Sequence, residues 1–420
     1  MKLLIKKATI IAPHSPLNGK IRDILIVDGI ISKIAATITE KVNKTIEQKG
    51  LHVSIGWVDI FAHFNDPGFE YKETIETGLA AAAAGGFTDV FVIPNNSPVT
   101  HNKSQVEYIR QKSSDFAVTI HPIGAVTKNA EGKELAEMYD MYQSGAVAFS
   151  DGINSIQSSG IVLKALQYVK AFNGTVIQIP DDKTIGTNGL INEGIVSTQL
   201  GLPGKPAMAE ELMVARDIKL ARYTESKLHF TGVTSAKSIE YIKRAKEGGL
   251  QVSCSVSPYH LFFIDEDVRG YDTNLKLNPP LRTNKDRQAL IKAITNGVVD
   301  CIASHHIPQD WDNKICEFEY AKSGMIGLET LFGCLISILG EKEIDLLITM
   351  LTVNNRNIFN LPIPQIAVGE KACLTLFNPT IEYTFEETMI KSKSKNSAFI
   401  GKLLKGKVVG IVNANKIEIN

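Results

Sequence analysis

From Ser54 onward the chain repeats one pattern, a short apolar run followed by an amphipathic segment. Eight such runs can be counted: Gly56 to Phe64, Thr88 to Pro94, Ala117 to Val126, Ala146 to Ser150, Thr175 to Pro180, Lys227 to Val233, Leu250 to Ser257 and Val298 to His305. A strand apolar on both faces is buried on both faces, as in a parallel sheet covered by helices. Eight of these units predict a closed (β/α)8 barrel of the TIM type. Between the runs, Lys72 to Ala84, Ala207 to Arg222 and Ser235 to Glu247 read as helices. Gly85-Gly86 and Gly248-Gly249 follow two of them and accept the left-handed geometry of a helix end. Ala80 to Ala84 reads as close helix packing, and Gly85-Gly86 lacks the lysine that a phosphate loop requires.

The flanks read differently. Lys2 to Val53 holds short strands, including Ile21 to Val27, a turn at Asp28-Gly29, and Ile30 to Ile34. Short strands return after Leu361, in Val368-Gly369-Glu370, Ala372 to Phe377 and Lys407 to Ile419. Neither piece alone is large enough to bury a core. Residues 1–53 and 367–420 are therefore expected to form one composite β-sandwich-like domain beside a barrel of residues 54–366. The charge run Lys391-Ser392-Lys393-Ser394-Lys395 reads as a solvated loop.

Lysine plus arginine balances aspartate plus glutamate at 45 each, so the chain has no overall field to hold nucleic acid or an anionic membrane. A length of 420 residues with 44% hydrophobic content suits a sizeable core. The five cysteines are odd in number and show no C-x-x-C spacing, which argues against a disulfide framework or a zinc-thiolate site. No apolar run approaches the roughly 18 residues of a membrane span. Met1 to Ile11 mixes charged and apolar residues, unlike a secretory signal. A cytoplasmic location is the expectation.

In a barrel of this kind, chemistry sits at the C-terminal strand ends and the loops after them. The first run ends Asp59-Ile60-Phe61-Ala62-His63-Phe64-Asn65-Asp66-Pro67-Gly68, and alternation places Phe61 and His63 on one side, toward the mouth. The stretch Gly56 to Asp59 with Pro67 to Thr74, then Ala80 to Thr88, resembles the dihydroorotases of the cyclic amidohydrolase superfamily. The resemblance continues through Pro94 to Pro98, Phe149 to Gly152, Asn192-Glu193-Gly194, Ala209-Glu210-Glu211, Asn278 to Arg282, Gly327 to Thr330 and Ser394-Lys395-Asn396. It spans nearly the whole chain.

The resemblance implies reversible closure of carbamoyl aspartate to dihydroorotate, with zinc generating hydroxide at neutral pH. It also implies a pocket of His and Asp ligands and a carboxylate that carries the proton. Against the family pattern Asp-x-His-x-His-x-Arg, this chain has Phe61 for the first histidine, keeps His63, and has Asn65 for the arginine that pairs with the substrate carboxylate. The fourth run gives Ser150-Asp151-Gly152 where the family writes Ser-Asp-Asp-Gly. Gln178 stands for the fifth-strand histidine and Gly232 for the second histidine of His-x-x-His. His305 replaces the aspartate that serves as both ligand and proton carrier. Phe61 and Gly232 offer no side-chain lone pair, and an amide is a poor zinc ligand. Asn65 removes the bidentate fork. Asn95 and Asn278 match substrate-binding positions and are expected to line a pocket.

Catalysis through zinc is therefore not expected, and no cofactor is. His63, Asp151 and His305 remain the candidates for a single metal ion, which would make the chain an active zinc-dependent dihydroorotase or related cyclic amidohydrolase with a rebuilt mononuclear site. His306 points the other way on its strand. His260, His101, His121 and His229 read as structural, and Asp181-Asp182 as loop charge. The resemblance implies a non-catalytic subunit supporting aspartate carbamoyltransferase, and it favours a homodimer. A third reading is a binding protein that uses the vacated pocket to sense a pyrimidine intermediate.

Overall fold

The computed structural model describes residues 1–13 and 15–420. Eight parallel strands follow one another around a sheet in chain order: Trp57–Ala62, Phe87–Val92, Thr119–Gly124, Ala148–Phe149, Thr175–Gln178, Lys227–Phe230, Val252–Val256 and Cys301–Ile302. The ring is closed by a parallel bridge from Ala62 to His306 and by the His63 amide donating to the His306 carbonyl at 2.9 Å. Each strand lies inside its predicted run except the second, which begins one residue early, at Phe87. The interior holds Val58, Phe61, Phe91, Ile123, Ile177 and Ala303, all essentially without solvent contact. This is a packed core, so ligands are met only at the ends.

The helices form the outer layer. The first begins at Ile75, three residues later than predicted, because Thr74 takes an N-cap geometry and its hydroxyl accepts from the Thr77 amide. Lys72 and Glu73 are thereby left in the preceding turn. Helix Ala236–Glu247 starts one residue inside its predicted span, and Met208–Thr224 runs two residues past its predicted end. Of the paired glycines, only Gly86 and Gly249 adopt positive φ, at 89° and 76°. Gly85 is needed for a different reason, since a Cβ there would lie 2.3 Å from the Leu328 carbonyl oxygen.

The N- and C-terminal strands are hydrogen-bonded into one eight-stranded sheet. His52–Ile55 pairs antiparallel with Cys373–Thr384, joining the two ends of the chain. The predicted hairpin is present, with Val27 opposite Ile30 and Asp28 and Gly29 at φ 48° and 81°. The last predicted run is two strands, Leu403–Asn413 and Lys416–Ile419, because Ala414 turns the chain at φ 52°. Lys391 to Lys395 is not a solvated loop. Its residues alternate, lysines outward and Ser392 and Ser394 buried, and the segment lies on the barrel with Ser392 and the Lys393 amide both donating to Glu73. All five cysteines are free thiols. No helix of the described residues is long and apolar enough to cross a membrane.

The two parts meet at Trp57. Its indole is fully buried, its ring centroid lies 4.9 Å from Phe332 and 5.4 Å from Phe377, and its Nε1 donates to Ser54 at 2.9 Å. Trp57→Ala is expected to cost about 3–5 kcal/mol through cavity formation, and Trp57→Phe distinctly less. Denaturant unfolding would show this, and an unchanged midpoint for the alanine variant would refute the assigned role.

Candidate functional site

The strand ends surround a cavity of about 660 Å³ at the barrel mouth, bordered by His63, Asn95, His260, Asn278 and His305 among others. His63, one residue past the first strand, is 6% exposed and its Nε2 has no hydrogen-bond partner. Burial, helped by the charge of Lys72, lowers its pKa to about 4, so it is neutral. Asn65 also borders the cavity, in a left-handed conformation at φ 58° that asparagine tolerates better than most residues.

Opposite His63 the eighth strand gives way to His305 at φ 45°. Its ring stacks on Phe61 with centroids 4.6 Å apart, and its Nε2 is 2.8 Å from the Thr231 hydroxyl. From there hydrogen bonds run inward through Ser255 at 2.9 Å to His229 at 3.0 Å and on to Ser253 at 2.8 Å. Gly232 makes room for this ring: its φ is 67°, and a Cβ built there would lie 2.7 Å from His305 Cε1. Phe61, Gly232 and His305 thus form one packed unit. Three positions that depart from the family pattern are explained together.

The remaining expected residues are dispersed. Asp151 is turned to the 127–132 loop, where its Oδ1 accepts from the Thr127 amide at 2.9 Å and its Oδ2 from the Thr127 hydroxyl at 2.5 Å. Burial still raises its pKa to about 6. Gln178 is buried with its Nε2 unpartnered, and it does not border the cavity. Asn95 and Asn278 do. Asn95, however, spends its amide on the backbone of Asp151 and Ile153, and Asn278 Oδ1 accepts from Lys205 Nζ at 2.9 Å. His306 turns outward to Glu73, with its Nδ1 accepting from the Gly327 amide. His260 is held between Ser257 at 2.7 Å and the Pro279 carbonyl at 3.0 Å.

Asp181 corrects an expectation. It is not a solvated loop charge but is 6% exposed and accepts from Lys205 Nζ at 2.7 Å. Lys72, Lys205, Lys276 and Lys322 all border the cavity. None carried a sequence signal, because a loop lysine ordinarily reads as solvated.

The residues present do not fit the zinc site that the resemblance implies. Among the described residues no group of three His, Cys, Asp or Glu side chains is placed to hold a metal ion. His63, Asp151 and His305 do not converge: both Asp151 oxygens are taken by Thr127, and His305 Nε2 lies on Thr231.

The closed barrel, its terminal β domain and its mouth cavity define an amidohydrolase-type barrel protein. The fold is also that of L-hydantoinase (dihydropyrimidinase) from Arthrobacter aurescens, with a TM-score of 0.87 at 20% identity over 100% of this chain and 97% of that one. Residues 51–238 match the Dihydro-orotase-like family model. The chain is 40% identical to the dihydroorotase of Pelotomaculum thermopropionicum over 97% of its own length and 96% of that protein. It is 41% identical to that of Caldicellulosiruptor saccharolyticus over 99% and 98%. The chain belongs to the dihydroorotase family.

Two outcomes follow from this packing. Gly232→Ala is expected to cost about 1–3 kcal/mol through backbone strain and the clash with His305, and less when His305→Ala is also present. A double-mutant cycle by denaturant unfolding should give a coupling of about 0.5–3 kcal/mol; strictly additive values would show that the two positions are independent.

The second concerns pH. Burial holds the pKa of His63 and His260 at about 4, and of His229 and His305 at about 3. Below the ordinary value of 6.5 the unfolded chain takes up protons that these folded imidazoles refuse, so their contribution to stability falls as pH falls. Asp151 and Asp217, raised to about 6 by burial, and Glu329, raised to about 7, act in the opposite direction. The informative quantity is therefore the difference between the wild type and His305→Gln. It should move against the wild type by up to roughly 1.4 kcal/mol per pH unit below about 6.5. Unfolding of both proteins across that range would read it, and a pH-independent difference would count against a neutral buried His305.

Proposed function

We propose that this dihydroorotase-family chain serves pyrimidine biosynthesis as a non-catalytic subunit that supports aspartate carbamoyltransferase. The observation that carries the first half is the packed unit of Phe61, Gly232 and His305. Amide ring opening at neutral pH needs an activated water and a proton carrier. At the position of the family's carrier stands a neutral imidazole already bonded to Thr231. Asn65, with one amide, replaces a fork that holds a carboxylate through two parallel bonds.

The second half rests on the family resemblance and on surface chemistry. Some relatives without metal ligands support the assembly of that transferase. On this chain Trp311, Ile315 and Tyr320, all within one loop after the eighth strand, are 72%, 60% and 72% exposed. Large apolar side chains left in solvent together are what a partner protein covers.

Elemental analysis of the purified chain is expected to find zinc well below one ion per chain, with no interconversion of carbamoyl aspartate and dihydroorotate. Mixed with the transferase, the chain should co-elute and raise its thermal stability. Stoichiometric zinc with turnover abolished by His63→Ala would instead establish an active mononuclear enzyme. Separate elution with no change in the transferase would remove the partner assignment.

A further inference from the structure

We propose that Ser253, His229, Ser255, Thr231 and His305 form a proton relay through the barrel interior, in which the two imidazoles hold opposite tautomers. The four hydrogen bonds that join these side chains are 2.8 to 3.0 Å long. His229 and Thr231 on the sixth strand and Ser253 and Ser255 on the seventh alternate with Phe230 and Cys254, which belong to the apolar layer under the outer helices, so the polar four face inward. His229, Thr231 and Ser255 have no solvent contact. The two ends of the chain are less enclosed: Ser253 is half-buried, and His305 borders the mouth cavity. A barrel interior is ordinarily filled by branched apolar side chains, and a polar group placed there is costly unless it is partnered. Here every link is made. Both rings are also held in place, His305 stacked on Phe61 and His229 edge-on to Phe359 with centroids 5.5 Å apart.

The rings bond only to hydroxyls, and burial keeps both neutral. A neutral imidazole carries one N–H and one lone pair, and a hydroxyl has one proton. Both nitrogens of His229 are engaged, so this ring donates on one side, accepts on the other, and gives the chain a direction. In one direction Ser253 donates to His229 Nδ1, His229 Nε2 to Ser255, Ser255 to Thr231 and Thr231 to His305 Nε2, which leaves the His305 proton on Nδ1. In the other direction His305 Nε2 donates to Thr231, Thr231 to Ser255 and Ser255 to His229 Nε2, which leaves the His229 proton on Nδ1, toward Ser253. Either way one ring is protonated on Nε2 and the other on Nδ1. A break in direction strands a hydroxyl proton or sets two lone pairs face to face in a dry interior, and is disfavoured on the order of tenfold or more. Passage from the first direction to the second conserves charge and atoms. Ser253 takes one proton from water, each bonded proton crosses to its acceptor, and the proton on His305 Nδ1 is released at the mouth.

The inference depends neither on the non-catalytic reading nor on the transferase. Nitrogen-15 NMR of the full chain labelled in histidine reads which nitrogen of each ring carries the proton at neutral pH, with the two rings identified by the signals lost in His229→Gln and His305→Gln. Opposite tautomers are expected. Thr231→Val keeps the shape and removes the hydroxyl, and should move the proton or produce a mixture of tautomers in at least one ring; Thr231→Ser, which retains the hydroxyl, should preserve the wild-type pair. The same tautomer on both rings, a doubly protonated ring, or both rings unaltered in Thr231→Val would overturn the relay. The wild-type spectrum decides the pairing even if the valine variant does not fold.

Discussion

The mouth of this barrel is organised by one buried carboxylate. Asp59, on the first strand, accepts from both the amide and the hydroxyl of Ser304 at 2.7 and 2.8 Å, across 245 residues of chain. Burial raises its pKa, and the two Ser304 bonds oppose that rise by favouring the ionised form. This seam sets the register between the first and last strands. With Ser304 fixed, the next residue enters a left-handed conformation and the two following imidazoles part: His305 faces inward to Phe61 and Thr231, and His306 faces outward to Glu73.

Glu73 carries the same organisation into the terminal domain. Fully buried, it also receives bonds from Thr77, Ser392 and the Lys393 amide, so one side chain ties the first helix, the eighth strand and the segment between the last long strands. Removal of one partner from such a network leaves a charge in a low-dielectric setting, which is far costlier than the net worth of the bonds themselves. Buried polar groups of the first helix and the eighth strand are thus answered by neighbours distant in sequence.

What was legible in the sequence was whatever depends on local periodicity. The eight apolar runs, the hairpin at Asp28-Gly29 and the inward facing of Phe61 follow from strand alternation and turn chemistry, which a linear chain displays. The positions that depart from the family pattern were also legible, one at a time. Their joint meaning was not, because Gly232 and His305 are 73 residues apart and their contact exists only across the barrel. The pairing of Asp181 with Lys205 and the burial of Ser392 and Ser394 were hidden for the same reason: charge and serine content suggest solvent, and only the fold supplies a partner. Asp151 follows the fourth strand, but the direction of its side chain is set by Thr127 on a different loop, which the sequence does not display.

The contact between Gly232 and His305 also limits which substitutions the chain can accept. A larger side chain at position 232 has no room while the imidazole of His305 fills that space, and a smaller residue at position 305 alone leaves an empty hollow against Phe61. Either substitution alone lowers stability, so the residues accepted at one position depend on the residue at the other. The packing thus makes two positions at the ends of different strands of the barrel a single unit of substitution, changed together or not at all.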